Sequence, residues 1–215
     1  GEIYFTHCYQ TALKLAEWRM DAATIAAGLL HDIVEDTKIS LEEIKKKFGD
    51  DIAFLVDGVT KLGRIKYRQE NNDMANLQSE NIRKMILALS QDLRVIFIKL
   101  ADRLHNMKTL NALHLQKQKR IALETTEIYA PIAYRLGMTN LAGELEDLAF
   151  PFLHYQEHKW LSDNIKEQYN ERHKYLEKVK ISLKQTLKEH KIEPLKIDFR
   201  VKRYSSLYKK LFRTN

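Results

Sequence analysis

Apolar residues recur at intervals of three and four through most of this chain, and only seven glycines and three prolines interrupt them. Such spacing lines up one apolar face per helical segment, and so few turn-forming residues favour long helices over a many-stranded sandwich; the expected fold class is all-α. The pattern predicts helices over 4–19, from Asp21 through Val34, in a short piece between Ser40 and Gly49, and over 51–61, 80–89, 93–110, 118–136 and 141–153. Roughly eight helices therefore precede residue 155. Asp21 reads as an N-cap, Ser40 and Glu43 have capping-box spacing, and Gly49 and Gly137 read as helix stops. Residues 67–78 are polar and aperiodic and read as a loop.

The remainder is built differently. Residues 158–190 read as one long, highly charged helix with Trp160, Ile165, Tyr169, Tyr175, Val179 and Leu183 along its inner stripe. Pro194 breaks it, residues 195–201 alternate like a strand with Ile197 and Phe199 on one side, and residues 205–212 turn helical again. The expected organisation is a helical domain over 1–155, a helical connector over 156–193, and over 194–215 the truncated start of an α/β domain. Basic residues gather in the tail: residues 1–150 hold 20 Lys and Arg against 21 Asp and Glu, whereas residues 151–215 hold 16 against 8. A tail of that sign can attract RNA or the ribosome, although a charged helix face is ordinarily just solvated. With one cysteine, Cys8, no intramolecular disulfide can form, and there is neither a signal-peptide pattern nor an apolar run long enough to span a bilayer. A cytoplasmic location is expected, and the lack of an initiator Met suggests a piece of a longer protein.

The chemistry centres on His31-Asp32-Ile33-Val34-Glu35-Asp36. An adjacent His and Asp can reach one metal from neighbouring directions, and Glu35 and Asp36 lie four residues beyond them, one helical turn further on. These acids interrupt an apolar helix rather than decorate a polar one. Burying a His and several acids is unfavourable by several kcal/mol for each unpaired charge unless a cation compensates, so a metal is expected here. A second acidic position, Asp102, follows the apolar run Val95-Ile96-Phe97-Ile98. Asp102, Asn106 and Thr109 share a stripe, with Asp102 as a plausible ligand.

His7, the His31-Asp32 pair with Glu35-Asp36-Thr37, and Lys99-Leu-Ala-Asp-Arg-Leu-His-Asn106 together resemble the HD-type hydrolase domain of the RelA/SpoT family. The likeness extends to Asp57-Gly-Val-Thr-Lys-Leu62, Glu127-Ile-Tyr-Ala-Pro131, Arg135-Leu-Gly137 and Glu144-Leu-Glu-Asp-Leu148. The resemblance implies a stringent-response enzyme that removes the 3′-pyrophosphate from the alarmones ppGpp and pppGpp, leaving GDP or GTP, with Mn²⁺ as cofactor. It assigns the metal to His7, His31, Asp32 and Asp102 and catalysis to Glu35 and Asp36. Asn106 and Thr109 match positions near the nucleoside, and Lys61, Arg103 and Tyr129 are candidate substrate-binding residues within the matched motifs. Two imidazoles and two carboxylates suit Mn²⁺, though donor chemistry alone also accommodates zinc or iron.

Glu2 and Tyr4 follow the family pattern at the start of the domain, while Ile3 stands where the family has proline. Residues 198–210 resemble the opening of the family's synthetase domain, with Arg200 and Lys202 at nucleotide-meeting positions, and no synthetase activity is expected from so short a portion. His105, although inside the motif, is expected behind the ligands or in the core rather than on the metal. His114, His154, His158, His173 and His190 are expected to be ordinary surface or packing residues. Two other functions compete: another HD-type nucleotide phosphohydrolase, and a decayed regulatory or RNA-binding module. The intact set of ligands and acids argues against decay.

Overall fold

The computed structural model describes residues 4–63, 92–199 and 202–214. The predicted loop at 67–78 and helix at 80–89 lie outside the described residues. Within them the fold is helical, and no strand is present among the described residues. The helices are α1 (Tyr4–Glu17), α2 (Ala22–Leu30), α3 (Ile33–Asp36), α4 (Leu41–Phe48), α5 (Asp50–Gly63), α6 (Leu93–Lys108), α7 (Leu115–Glu124), α8 (Ala130–Arg135), α9 (Thr139–Leu153), α10 (Tyr155–Glu189) and α11 (Tyr204–Thr214).

Local chemistry explains most boundaries. The Asp21 carboxylate accepts from the Thr24 backbone N–H at 2.8 Å and caps α2. Ser40 and Glu43 form the complete reciprocal capping box at the head of α4, and Gly49, at φ +91°, closes it. That backbone angle is unfavourable for any residue with a Cβ. Asp21→Ala is expected to lower the unfolding free energy by about 1 kcal/mol, and Asp21→Asn, which keeps an acceptor, by less. Urea denaturation of the two variants checks this.

α6 is the central element. Its Val95, Ile96, Ile98, Leu100 and Leu104 are buried, and it packs on α1, α2, α5 and α9. Arg94 at its start ties the surrounding helix ends together. Its guanidinium meets Asp51 of α5 at 2.7 Å and Asp92, the N-cap of α6, at 2.7 Å, and lies 3.8 Å from Asp21. α1 and α2 approach closely because of Gly28, where a Cβ would be driven into the Leu15 side chain and come within 3.6 Å of the Ala12 backbone.

The helix predicted over 118–136 is interrupted by a π-helical turn, Thr125–Tyr129. Pro131 has no N–H to return to the preceding turn, and its ring crowds the carbonyl four residues back, so the helix widens there. The Thr125 and Thr126 hydroxyls donate to the Ile121 and Leu123 carbonyls at 2.7 and 3.0 Å, which satisfies acceptors in the wider turn.

Two expectations for the tail change. The long helix forms, but Trp160, Tyr175, Val179 and Leu183 are exposed rather than turned inward, and Leu161 is the buried apolar residue instead. Residues 195–199 are not a strand. No extended neighbour runs beside them among the described residues, and without one a strand leaves its N–H and C=O groups unpaired. α11 docks against α9 and α10: Asp147 of α9 accepts from the Ser205 N–H at 2.9 Å, Lys209 pairs with Glu146 at 2.7 Å, and Tyr208 packs against both Phe150 and His154.

Candidate metal centre

His7, His31, Asp32 and Asp102 come from three separate helical segments; donor atoms of the first three form one compact group, and Asp102 approaches it at the two imidazoles. His7 projects from α1, His31 and Asp32 occupy the joint between α2 and α3, and Asp102 lies midway along α6. The expected continuous helix through His31 and Asp32 is thus corrected: it breaks at this pair. The Glu35 and Asp36 N–H groups both bond back to the Asp32 carbonyl, at 3.0 and 2.9 Å, and a new helical turn begins. The break frees both side chains from a common helical surface so that they point at one place.

The distances are short. His7 Nε2 lies 3.2 Å from His31 Nε2, 3.6 Å from Asp32 Oδ2 and 3.3 Å from Asp102 Oδ1. His31 Nε2 lies 3.1 Å from Asp32 Oδ2 and 3.8 Å from Asp102 Oδ1. Ligand atoms of His7, His31 and Asp32 all fall within 4.8 Å of one another, close enough to share one ion. His31 is fully buried, whereas the side chains of His7 and Asp32 keep 16% and 23% of their surface, so the cluster opens on the His7 and Asp32 side. Glu35 and Asp36 are exposed just beyond Asp32 in the sequence.

Each donor is held from behind. The Gly28 carbonyl lies 2.8 Å from His31 Nδ1, which places the proton on Nδ1 and leaves the Nε2 lone pair facing the cluster. Asp102 is gripped at both oxygens, by Lys99 Nζ at 3.2 Å on Oδ2 and by Asn106 Nδ2 at 2.6 Å on Oδ1. Burial would raise the Asp102 carboxyl, but the Lys99 ammonium and the two imidazoles outweigh it and hold it well below the usual carboxylate range. For His31, burial opposes a charge, yet the Asp32 and Asp102 carboxylates raise it overall. Lone pairs and carboxylate oxygens this close repel unless a cation lies among them, and proton and metal compete for that place. The donor set fits a divalent metal. Cys8, beside His7, is not among the grouped donor atoms; burial pushes its thiol up, and Asp32, Asp102 and Asp36 add to the effect.

The other predicted residues are placed as follows. Asn106 bonds Asp102. Thr109 ends α6, its hydroxyl donating to the His105 carbonyl at 3.2 Å. Lys61 is exposed and pairs with Asp57 one turn away. Arg103 is largely buried, 3.4 Å from Glu124 and stacked 4.1 Å over the ring of buried Tyr129. Sequence reasoning did not assign Lys99 a role and left His105 behind the ligands without a partner. The available signal was their spacing, three residues either side of Asp102 on one helix.

A family model described as HD domain matches residues 1–139. The chain belongs to the HD domain family. Over 211 residues, 98% of the chain, it is 47% identical to a protein of Aquifex aeolicus (strain VF5) named guanosine-3′,5′-bis(diphosphate) 3′-pyrophosphohydrolase. The same span is 44% identical to a Streptomyces coelicolor protein named GTP pyrophosphokinase and 42% identical to the bifunctional (p)ppGpp synthase/hydrolase SpoT of Escherichia coli (strain K12). The likeness to the RelA/SpoT family seen in the motifs therefore runs along nearly the whole chain. The chain spans 29%, 24% and 29% of the lengths of these three relatives. A solved structure titled "A metazoan ortholog of SpoT hydrolyzes ppGpp and plays a role in starvation responses" aligns over 67% of this chain and 79% of its own, at 24% identity and a TM-score of 0.44.

Proposed function

We propose that this chain hydrolyses the 3′-pyrophosphate of ppGpp and pppGpp, consuming one water and yielding GDP or GTP and pyrophosphate. The observation that carries the reading is the close grouping of His7, His31 and Asp32, with Asp102 against both imidazoles and with His7 and Asp32 partly exposed. The names of relatives at 42–47% identity supply the substrate.

In this reading those four residues hold Mn²⁺, which when bound supplies Lewis acidity at a phosphate oxygen and lowers the pKa of water. Glu35 and Asp36, exposed just beyond Asp32 in the sequence, orient the attacking water and accept its proton, and one of them returns a proton to the departing 3′-oxygen. Lys99 and Asn106 fix the orientation of Asp102. Lys61 and Thr109 are assigned to the substrate, Lys61 to a phosphate and Thr109 to the nucleoside. Arg103 and Tyr129 support the substrate side indirectly, since each already engages the other. The catalytic unit is assigned to residues 1–155, with 156–193 as connector and 194–215 as the first part of a synthetase-like region; contact with RNA or the ribosome is assigned to the full-length protein. The described residues contain no helix long and apolar enough to cross a membrane, and a cytoplasmic location is part of the proposal.

Chelation is expected to abolish ppGpp hydrolysis, and Mn²⁺ to restore it better than Mg²⁺, because Mg²⁺ prefers oxygen ligands to imidazole. Chromatographic detection of GDP and pyrophosphate measures this, with deoxynucleoside triphosphates and cyclic nucleotides as competing substrates. Full turnover in excess chelator would overturn the metal-dependent reading, and preference for a competing substrate would point to another HD phosphohydrolase.

A further inference from the structure

We propose that His105 is the positioning residue of His7, fixing the tautomer in which His7 can hold a metal; this rests on the reading of His7 as a ligand. His105 Nδ1 lies 2.8 Å from His7 Nδ1, and the two rings are inclined at 58° with centroids 4.9 Å apart, so the contact is between ring edges rather than faces. The opposite nitrogen of His7, Nε2, is the one facing His31 and Asp102.

A neutral imidazole carries one N–H and one lone pair. To present its lone pair at Nε2, His7 must keep its proton at Nδ1, and a hydrogen bond there needs an acceptor. The His105 Nδ1 lone pair is that acceptor, which places the proton of His105 on its own Nε2. Were His105 the donor instead, His7 would be protonated at Nε2 and lost as a ligand. The same arrangement holds His31, whose Nδ1 proton goes to the Gly28 carbonyl. One imidazole of the site is thus oriented by a backbone carbonyl, and the other by a side chain that can be substituted. His105 lies three residues after Asp102, so α6 supplies one ligand and orients a second that arrives from α1.

Three preparations test this: the parent chain, His105→Leu, which deletes the acceptor, and His105→Asn, whose amide oxygen falls near the position of Nδ1. Calorimetric titration with Mn²⁺ is expected to give a Kd about 10- to 100-fold weaker for His105→Leu and within about threefold of the parent for His105→Asn. Nitrogen-15 NMR of the metal-free parent, at a pH where the rings are neutral, is expected to find the His7 proton on Nδ1 with a scalar coupling across the hydrogen bond to His105. His105→Leu should show a mixture of His7 tautomers. Mn²⁺ binding as tight in His105→Leu as in the parent, or equally weakened in both variants, would overturn the proposal, the second by reducing His105 to packing. If His105→Leu does not fold, the parent's coupling and the His105→Asn titration decide. A parent with its His7 proton on Nε2 would overturn the role of His105 alone; a parent that takes up no Mn²⁺ would overturn it together with the metal reading.

Discussion

Glu35→Gln and Asp36→Asn are each expected to lower kcat on ppGpp by about 10²-fold or more while Mn²⁺ stays bound, whereas His31→Ala loses metal and turnover together. Both acids are exposed beyond the joint at His31 and Asp32, whereas the four residues assigned to the metal are buried or half-buried. The amide variants preserve size and much of the hydrogen bonding but cannot accept a proton as a carboxylate does. His31 is fully buried with its lone pair aimed into the cluster, so its removal takes away a donor that no neighbour can replace. Elemental analysis beside kcat for each variant separates the roles. An Asp36→Asn protein that lost its metal while His31→Ala kept it would reverse the assignments.

Lys99→Met is expected to destabilise the metal-free protein by about 3 kcal/mol, at the low end of the range for breaking a buried ion pair. Lys99 and Asp102 are 9% and 7% exposed, and the ammonium is 3.2 Å from Oδ2, so its loss leaves a buried carboxylate short of positive charge. The low end applies because His31, whose charged form the neighbouring carboxylates favour, can take up a proton in compensation. Bound Mn²⁺ neutralises the same carboxylate, so the loss should shrink when the metal is saturating. Urea unfolding with and without Mn²⁺ provides the comparison. Equal stability of parent and variant without metal would mean that Lys99 is a spectator.

What could be read from the sequence was what depends on near neighbours. Asp21, Ser40 with Glu43, and Gly49 act within a turn of the residues they cap, so their pattern is visible in the string. The donors His31, Asp32 and Asp102 stood out because charged groups interrupted apolar helices, while His7 came only through family likeness. The break at His31 and Asp32 was not legible, since both residues are compatible with a continuing helix and only convergence on His7 and Asp102 favours the joint. His105 and His7 are 98 residues apart, and nothing local announces their contact. The strand expected over 195–201 depended on a pairing partner, which alternation alone does not provide. Along α10 the apolar stripe was read as a buried face, incorrectly at Trp160, Tyr175, Val179 and Leu183, while Ile165 is half-buried and the Tyr169 side chain lies outside the described residues; periodicity does not say whether anything lies opposite.

The π-helical turn at Thr125–Tyr129 bears on Arg103. Glu124 and Tyr129 are five residues apart, and in a regular α-helix, at about 100° per residue, they would point about 140° away from each other. A turn closed by five-residue hydrogen bonds brings such a pair back toward one side, and a single guanidinium meets both the Glu124 carboxylate and the Tyr129 ring. The spare residue in that turn is therefore a matter of phase. Straightening the turn without removing a residue would swing one of the two partners off Arg103, whereas removing one position would leave them four apart, about 40° from each other and again on one face of a regular helix; the wider turn is what lets the longer count still serve Arg103.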